Sequence, residues 1–154
     1  MNLREFWAKV NERNSLFGTG FYIVLGFAIA IGVNWGLGFA LHTDTPVVAV
    51  FSNSMVPEFS KGDMVIVSSP SGLSIGDIVV FDASTGGYRY PIIHRVIAIN
   101  PDGTYETKGD ANSVQGNFEH NIRASQIHGK AIFEIPYLGW VKVGVFEALG
   151  LAKE

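Results

Sequence analysis

In the stretch GLGFALHTDTPVVAVFSNSM, Gly36–Met55, the chain changes its period, and the reading of the fold follows from that change. On its N-terminal side the residues from Phe17 to Leu41 carry no charge. As a helix this run is roughly 37 Å long, more than the ~30 Å that a bilayer core needs. It is also longer than the apolar core of a cleaved leader. Arg4, Lys9 and Arg13 precede it, and no Lys or Arg follows before Lys61. The positive-inside rule therefore predicts a cytoplasmic tail over 1–16, a transmembrane helix over 17–41 and an extracytoplasmic domain over 42–154. Within the run Gly32 and Gly36 have small-xxx-small spacing, a pattern that lets helices approach closely.

On the C-terminal side of Leu41 the pattern becomes extended. TPVVAVFS, β-branched and apolar, reads as a strand leading to Ser52 and Ser54. After the KGD turn come MVIVSS, IVVFDA and, beyond the Gly86–Gly87 pair, YRYPIIHRVIAIN. YETKGD and IHGKAIFEI complete the strands, with the irregular loop ANSVQGNFEHN between them. Closely spaced turn signals and the lack of a β/α alternation predict a mainly β domain anchored by one N-terminal helix. The tail over 136–151 is apolar but contains Lys142 and Glu147. It is too short and too charged to span a membrane, and reads as a helix in the interface or packed on the domain.

Composition narrows the chemistry. The 154 residues contain no cysteine, which removes disulfides, thiolate nucleophiles and cysteine–zinc sites. A net charge of −3 and the lack of a basic run give no footprint for nucleic acid. No pattern calls for a metal or an organic cofactor.

A serine becomes a nucleophile only with a base beside it and donors for the oxyanion it creates. Ser52 and Ser54 share one face of an extended chain, so one can attack while the other donates. Serines at strand ends are ordinarily turn residues, so the pair gains meaning only with a base. Of the four histidines, His94 alone interrupts an apolar strand in mid-run, within PIIHRVIAI. Imidazole is the side chain best matched to proton transfer near neutral pH. An acid should orient it, and Asp110 in TKGD is the best placed. Asp63 and Asp77 sit in GD turns, where backbone hydrogen bonding explains them.

SNSMVP, KGD, SIGDIVVF, IIHRVIAI and TKGDAN, in that order, resemble the type I signal peptidases over about Val47–Asn112, and IHGKAIFEIPYLGWV continues the likeness. The bacterial members carry a lysine base in the segment that reads IIHRV here. The histidine points to the archaeal and endoplasmic-reticulum branch, or to the sporulation-type bacterial enzymes. The resemblance implies Ser54 as nucleophile, His94 as base, and an oxyanion hole made of the Ser54 amide and the Ser52 hydroxyl. It implies substrate pockets for small side chains, with Met55 and Pro57 shaping the backbone and pocket near Ser54. The implied activity is a membrane-bound serine endopeptidase that removes signal peptides from exported preproteins. Its implied surroundings are the cell membrane or the reticulum membrane, membrane lipid, and translocation machinery or other peptidase subunits.

One position departs from that pattern. Relatives of this branch carry a second acid about six residues after the GD, where this chain has Gly116. Asp110 is the expected third member; Glu119 from a rearranged loop, or a Ser–His dyad, are the other readings. The missing acid also gives the only support for a non-catalytic, membrane-tethered module that binds signal peptides or a secretion complex.

Overall fold

The structure, a computed structural model, describes residues 2–12, 16–85 and 88–151; Arg13 and the Gly86–Gly87 pair lie outside these. The chain divides into two compact units, Met1–Leu37 and Gly38–Glu154. In the first, helix α1 (Leu3–Val10) starts with a capping box between Asn2 and Glu5. The reciprocal bonds satisfy two amides that a helix start leaves without partners. Phe6 of α1 meets Phe17 and Phe21 edge-on. These two belong to α2 (Leu16–Leu41), a helix apolar on all sides and long enough to cross a membrane, a candidate membrane anchor. Such a surface is unsuited to water and suited to lipid. The last turn of α2 belongs to the second unit, where the Leu41 carbonyl accepts from Ser69 N at 2.8 Å.

The second unit is built on one antiparallel sheet of six strands: β1 (Val47–Ala49), β2 (Met64–Ser68), β3 (Ile78–Thr85), β4 (Tyr88–Ile99), β5 (Tyr105–Lys108) and β6 (Ile127–Ile135). The spatial order is β1-β2-β6-β3-β4-β5. β3 lies inside the sheet, and its continuous apolar start, IVVF, has a physical reason. Val79 and Phe81 point to one face and Ile78 and Val80 to the other, and both faces are covered. Val50, Met55 and Phe59, from the segment between β1 and β2, pack with Ile78 and Val80. Phe118 and Ile122, from the segment between β5 and β6, pack with Val79 and Phe81. The two segments that cover the sheet are the ones that carry the candidate site.

Three expected elements differ in extent. The strand expected over TPVVAVFS stops at Ala49, so Ser52 and Ser54 stand in a turn and not at a strand end. YETKGD is a strand only to Lys108. The loop expected over ANSVQGNFEHN contains a short 3-10 turn at Asn117–Glu119. The C-terminal tail forms α3, Trp140–Ala148.

The 111–121 loop is anchored by Glu106 of β5. Its carboxylate accepts from Asn100 Nδ2 at 3.0 Å, Asn121 N at 3.0 Å and Gln115 Nε2 at 3.2 Å, and lies 2.6 Å from His120 Nδ1. Burial opposes its ionisation, but these donors together outweigh burial and lower its pKa to about 2. A folded-state pKa below the unfolded value stabilises the fold at higher pH, and the contribution disappears as pH falls from about 4.5 towards about 2. Glu106→Gln should therefore destabilise the domain at neutral pH by on the order of 2–3 kcal/mol. Thermal unfolding followed at several pH values should show the gap from the wild type closing below about pH 4.5. A gap that stays constant through that window would show that the Glu106 charge contributes nothing.

Candidate active site

His94 lies on β4 directly opposite Val79 of β3 and therefore shares the face of Val79 and Phe81. Its ring stands 6.4 Å from the Phe81 ring and 6.5 Å from the Phe118 ring, stacked on the latter at an interplanar angle of 30°. Nδ1 is 2.5 Å from Glu119 Oε1, and Nε2 is 3.0 Å from Ser54 Oγ. Glu119 is fully buried, and its other carboxylate oxygen accepts from Gly116 N at 2.5 Å. A carboxylate on Nδ1 keeps the ring proton there, so Nε2 is free to accept from the Ser54 hydroxyl. Ser52 Oγ stands 3.1 Å from Ser54 Oγ. The three groups form one hydrogen-bonded line ending at an accessible hydroxyl.

Burial is the main influence on the imidazole and pushes its pKa below the ordinary 6.5; Glu119, and more weakly Asp110, pull it back up. The ring is thus neutral at physiological pH, the state in which it can take a proton.

The structure separates Asp110 from the role expected of it. Its carboxylate accepts from Arg95 Nε at 2.9 Å and from Arg95 Nη2 at 2.6 Å. The same guanidinium donates to the Gly76 carbonyl at 2.9 Å and to Glu58 at 3.2 Å. Arg95 and His94 are adjacent on a strand, so their side chains leave opposite faces. An acid held by Arg95 is on the wrong side of β4 to reach Nδ1. Asp110 is instead one of three partners of Arg95, which ties three loops together, including the one that carries Ser54.

Met55, which the resemblance assigns to the backbone and pocket near Ser54, lies inside the domain. It is fully buried among Val50, Phe59 and Val65, in the core and away from any surface a peptide could touch. Its contribution to the site is to hold the turn that presents Ser54. Pro57 follows in the same turn, after a cis peptide bond, and is exposed.

Two glycines matter through the space they leave. A Cβ on Gly109 would stand 2.7 Å from the Ser54 carbonyl oxygen and 2.9 Å from His94 Nε2. Only a bare backbone fits there, and it lets Ala111 N donate to the Ser54 carbonyl at 2.9 Å. A Cβ on Gly116 would meet the Phe118 ring at 2.8 Å. The residue without a side chain at 116 makes room for Phe118, and the 3-10 turn then brings Glu119 to His94. Gly109 had a signal in the sequence, since it lies beside Asp110 in the KGD motif. Glu119 had only the negative signal of an acid missing from its usual place.

Comparison with known proteins shows the family of the chain. The family model described as signal peptidase, peptidase S26, matches residues 21–134. The signal peptidase complex catalytic subunit SEC11C of Homo sapiens is 33% identical over 150 aligned residues, covering 88% of this chain and 74% of the relative. The signal peptidase complex catalytic subunit SEC11 of Schizophyllum commune is 30% identical over 136 residues, covering 71% and 69%. The match takes in the strand of His94, the turn of Ser54 and most of α2, and the chain belongs to the signal peptidase family, peptidase S26.

Proposed function

We propose that Ser54, His94 and Glu119 are the working groups of a membrane-bound serine endopeptidase that cleaves signal peptides from exported preproteins. The observation that carries this reading is the hydrogen-bonded line from the Ser54 hydroxyl through both nitrogens of His94 to a buried carboxylate. In this reaction His94 Nε2 takes the proton as Ser54 Oγ attacks the scissile carbonyl, and later gives it to the departing amine. The imidazolium formed between these steps is stabilised by Glu119, whose charge is undiluted by water. The Ser52 hydroxyl, within hydrogen-bonding distance of Ser54 Oγ, is suited to donate to the oxyanion together with the Ser54 amide. Small side chains precede the cut, as the family likeness implies. The N-terminus lies in the cytoplasm and the sheet domain outside it, at the cell membrane or the reticulum membrane. Because the relatives are named as catalytic subunits of a complex, further subunits and the translocation machinery are the partners we infer.

Ser54→Ala should abolish cleavage of a preprotein in detergent, and Ser52→Ala should lower kcat by about 10²–10³-fold, the usual loss of one oxyanion donor. Full cleavage by the Ser54→Ala protein would remove the nucleophile assignment.

The two acids are distinguished by their effect on the pH profile. Glu119→Gln should lower kcat by about 10⁴-fold, as removal of the orienting acid does in a serine-protease triad. Glu119 raises the imidazole pKa, so its loss should also move the acid limb of kcat/KM to lower pH. Asp110→Asn should cost no more than about 10²-fold, through looser positioning, with a smaller shift in the same direction. A larger loss in Asp110→Asn than in Glu119→Gln would return the role to Asp110.

A further inference from the structure

Asn112 is held beside the site by its backbone. Its N–H donates to the Gly109 carbonyl at 3.0 Å, and its own carbonyl accepts from Lys108 Nζ at 2.6 Å. The side chain is half-buried, yet its carboxamide has no hydrogen-bond partner among the described residues. A partly buried polar group without a partner calls for an explanation, and here Ser54 and His94 lie next to it.

Gly109 shows how near they are. A Cβ there would stand 2.7 Å from Asn112 Nδ2, 2.7 Å from the Ser54 carbonyl oxygen and 2.9 Å from His94 Nε2. Three polar atoms thus face one patch of bare backbone. Asn112 Nδ2 and His94 Nε2 are close enough for a single water to bridge them at ordinary hydrogen-bond lengths of ~2.9 Å. The donor and acceptor roles also match. The carboxamide N–H donates to the water oxygen, and Nε2, which lacks a proton while Nδ1 keeps one, accepts a water O–H. The Ser54 carbonyl oxygen has a lone pair left beside the one that Ala111 N uses.

We propose, resting on the reading of Ser54 as nucleophile, that Asn112 positions the water that hydrolyses the acyl-enzyme. During the first half of the reaction the Ser54 hydroxyl occupies Nε2. Once Oγ has become an ester oxygen it has no proton to give, and Nε2 is open to water. The water oxygen then bonds to the acyl carbon while one of its protons passes to Nε2. Collapse of the adduct breaks the bond between the acyl carbon and Ser54 Oγ, and Nε2 returns the proton to Oγ. A carboxylic acid leaves and the free serine is restored. The attack by Ser54 needs no help from the carboxamide, so its loss falls on the second half alone.

The two halves separate on the p-nitrophenyl ester of a short peptide ending in alanine, with the full chain in detergent. Nitrophenol leaves on acylation as a burst, and its steady release then follows deacylation. Asn112→Ala and the nearly isosteric Asn112→Leu should keep the rate and size of the wild-type burst. Their steady-state rate should fall by about 10²-fold, the cost of a misplaced reactant. Hydroxylamine, a stronger acyl acceptor than water, should restore much of that turnover. The carboxamide has no partner to lose, so the thermal unfolding of both variants should match the wild type. A burst slowed in proportion to the steady state overturns the proposal, because Asn112 would then serve substrate binding or the fold. A steady-state rate that neither variant changes overturns it as well. A wild-type burst from Ser54→Ala is a different failure, since it removes the nucleophile and with it the acyl-enzyme that the water would attack.

Discussion

The contact between the buried Glu119 carboxylate and His94 Nδ1 is the interaction around which the rest of the site is arranged. A carboxylate without access to water is tolerated only when its oxygens are paired. Here one oxygen receives the imidazole and the other the Gly116 amide. Gly116, at the start of the 3-10 turn, supplies the second partner, Phe118 closes the space that a side chain at 116 would fill, and Glu106 holds Gln115 and Asn121 on either side of the turn. Without these supports the carboxylate would turn outward to solvent. The imidazole would then lose both its proton bias and its orientation.

A second constraint works on the opposite face of β4. Arg95 gathers Asp110, Glu58 and the Gly76 carbonyl around one guanidinium, and Asp110 makes that cation still harder to deprotonate. Adjacent strand residues thus divide two tasks by geometry alone. His94 faces its acid and its serine, while Arg95 ties the surrounding loops. Lys108, paired in register with Arg95, adds a further tie by donating to the carbonyls of Gly109 and Asn112. That keeps the bare backbone at 109 close beside Ser54 and His94.

How much of this was legible depended on whether a residue's role is local or depends on a loop. His94 stood out because a polar residue inside an apolar strand breaks an alternation that a period of two makes visible. Ser52 and Ser54 were readable from their spacing and the motif around them, even though the strand expected to carry them ends earlier, at Ala49. The anchor helix was readable from a long uncharged run. Glu119 was only one of several readings, because the conformation of an irregular loop is set by tertiary contacts such as Phe118 on His94. The TKGD motif makes Asp110 the expected partner of His94, but a motif does not say on which face of the strand the acid will find its partner. For Met55 the family likeness implies a role in shaping the backbone and pocket near Ser54, and its side chain does so from within the core.

The order of the strands has a consequence for how the protein comes into being. β6 is the last strand in the chain but lies between β2 and β3, pairing with both. Until residues 127–135 are available, the sheet consists of two separate pieces: β1 with β2, which leads out of the Ser54 turn, and β3 with β4 and β5, which carry His94. Joining them requires pairs as distant in sequence as Met64 with Ile135, and such distant pairing is slow. Until then Ser54 and His94 stand on pieces of sheet that no strand joins. The strand that unites the two sides of the candidate site is thus one that carries none of its residues.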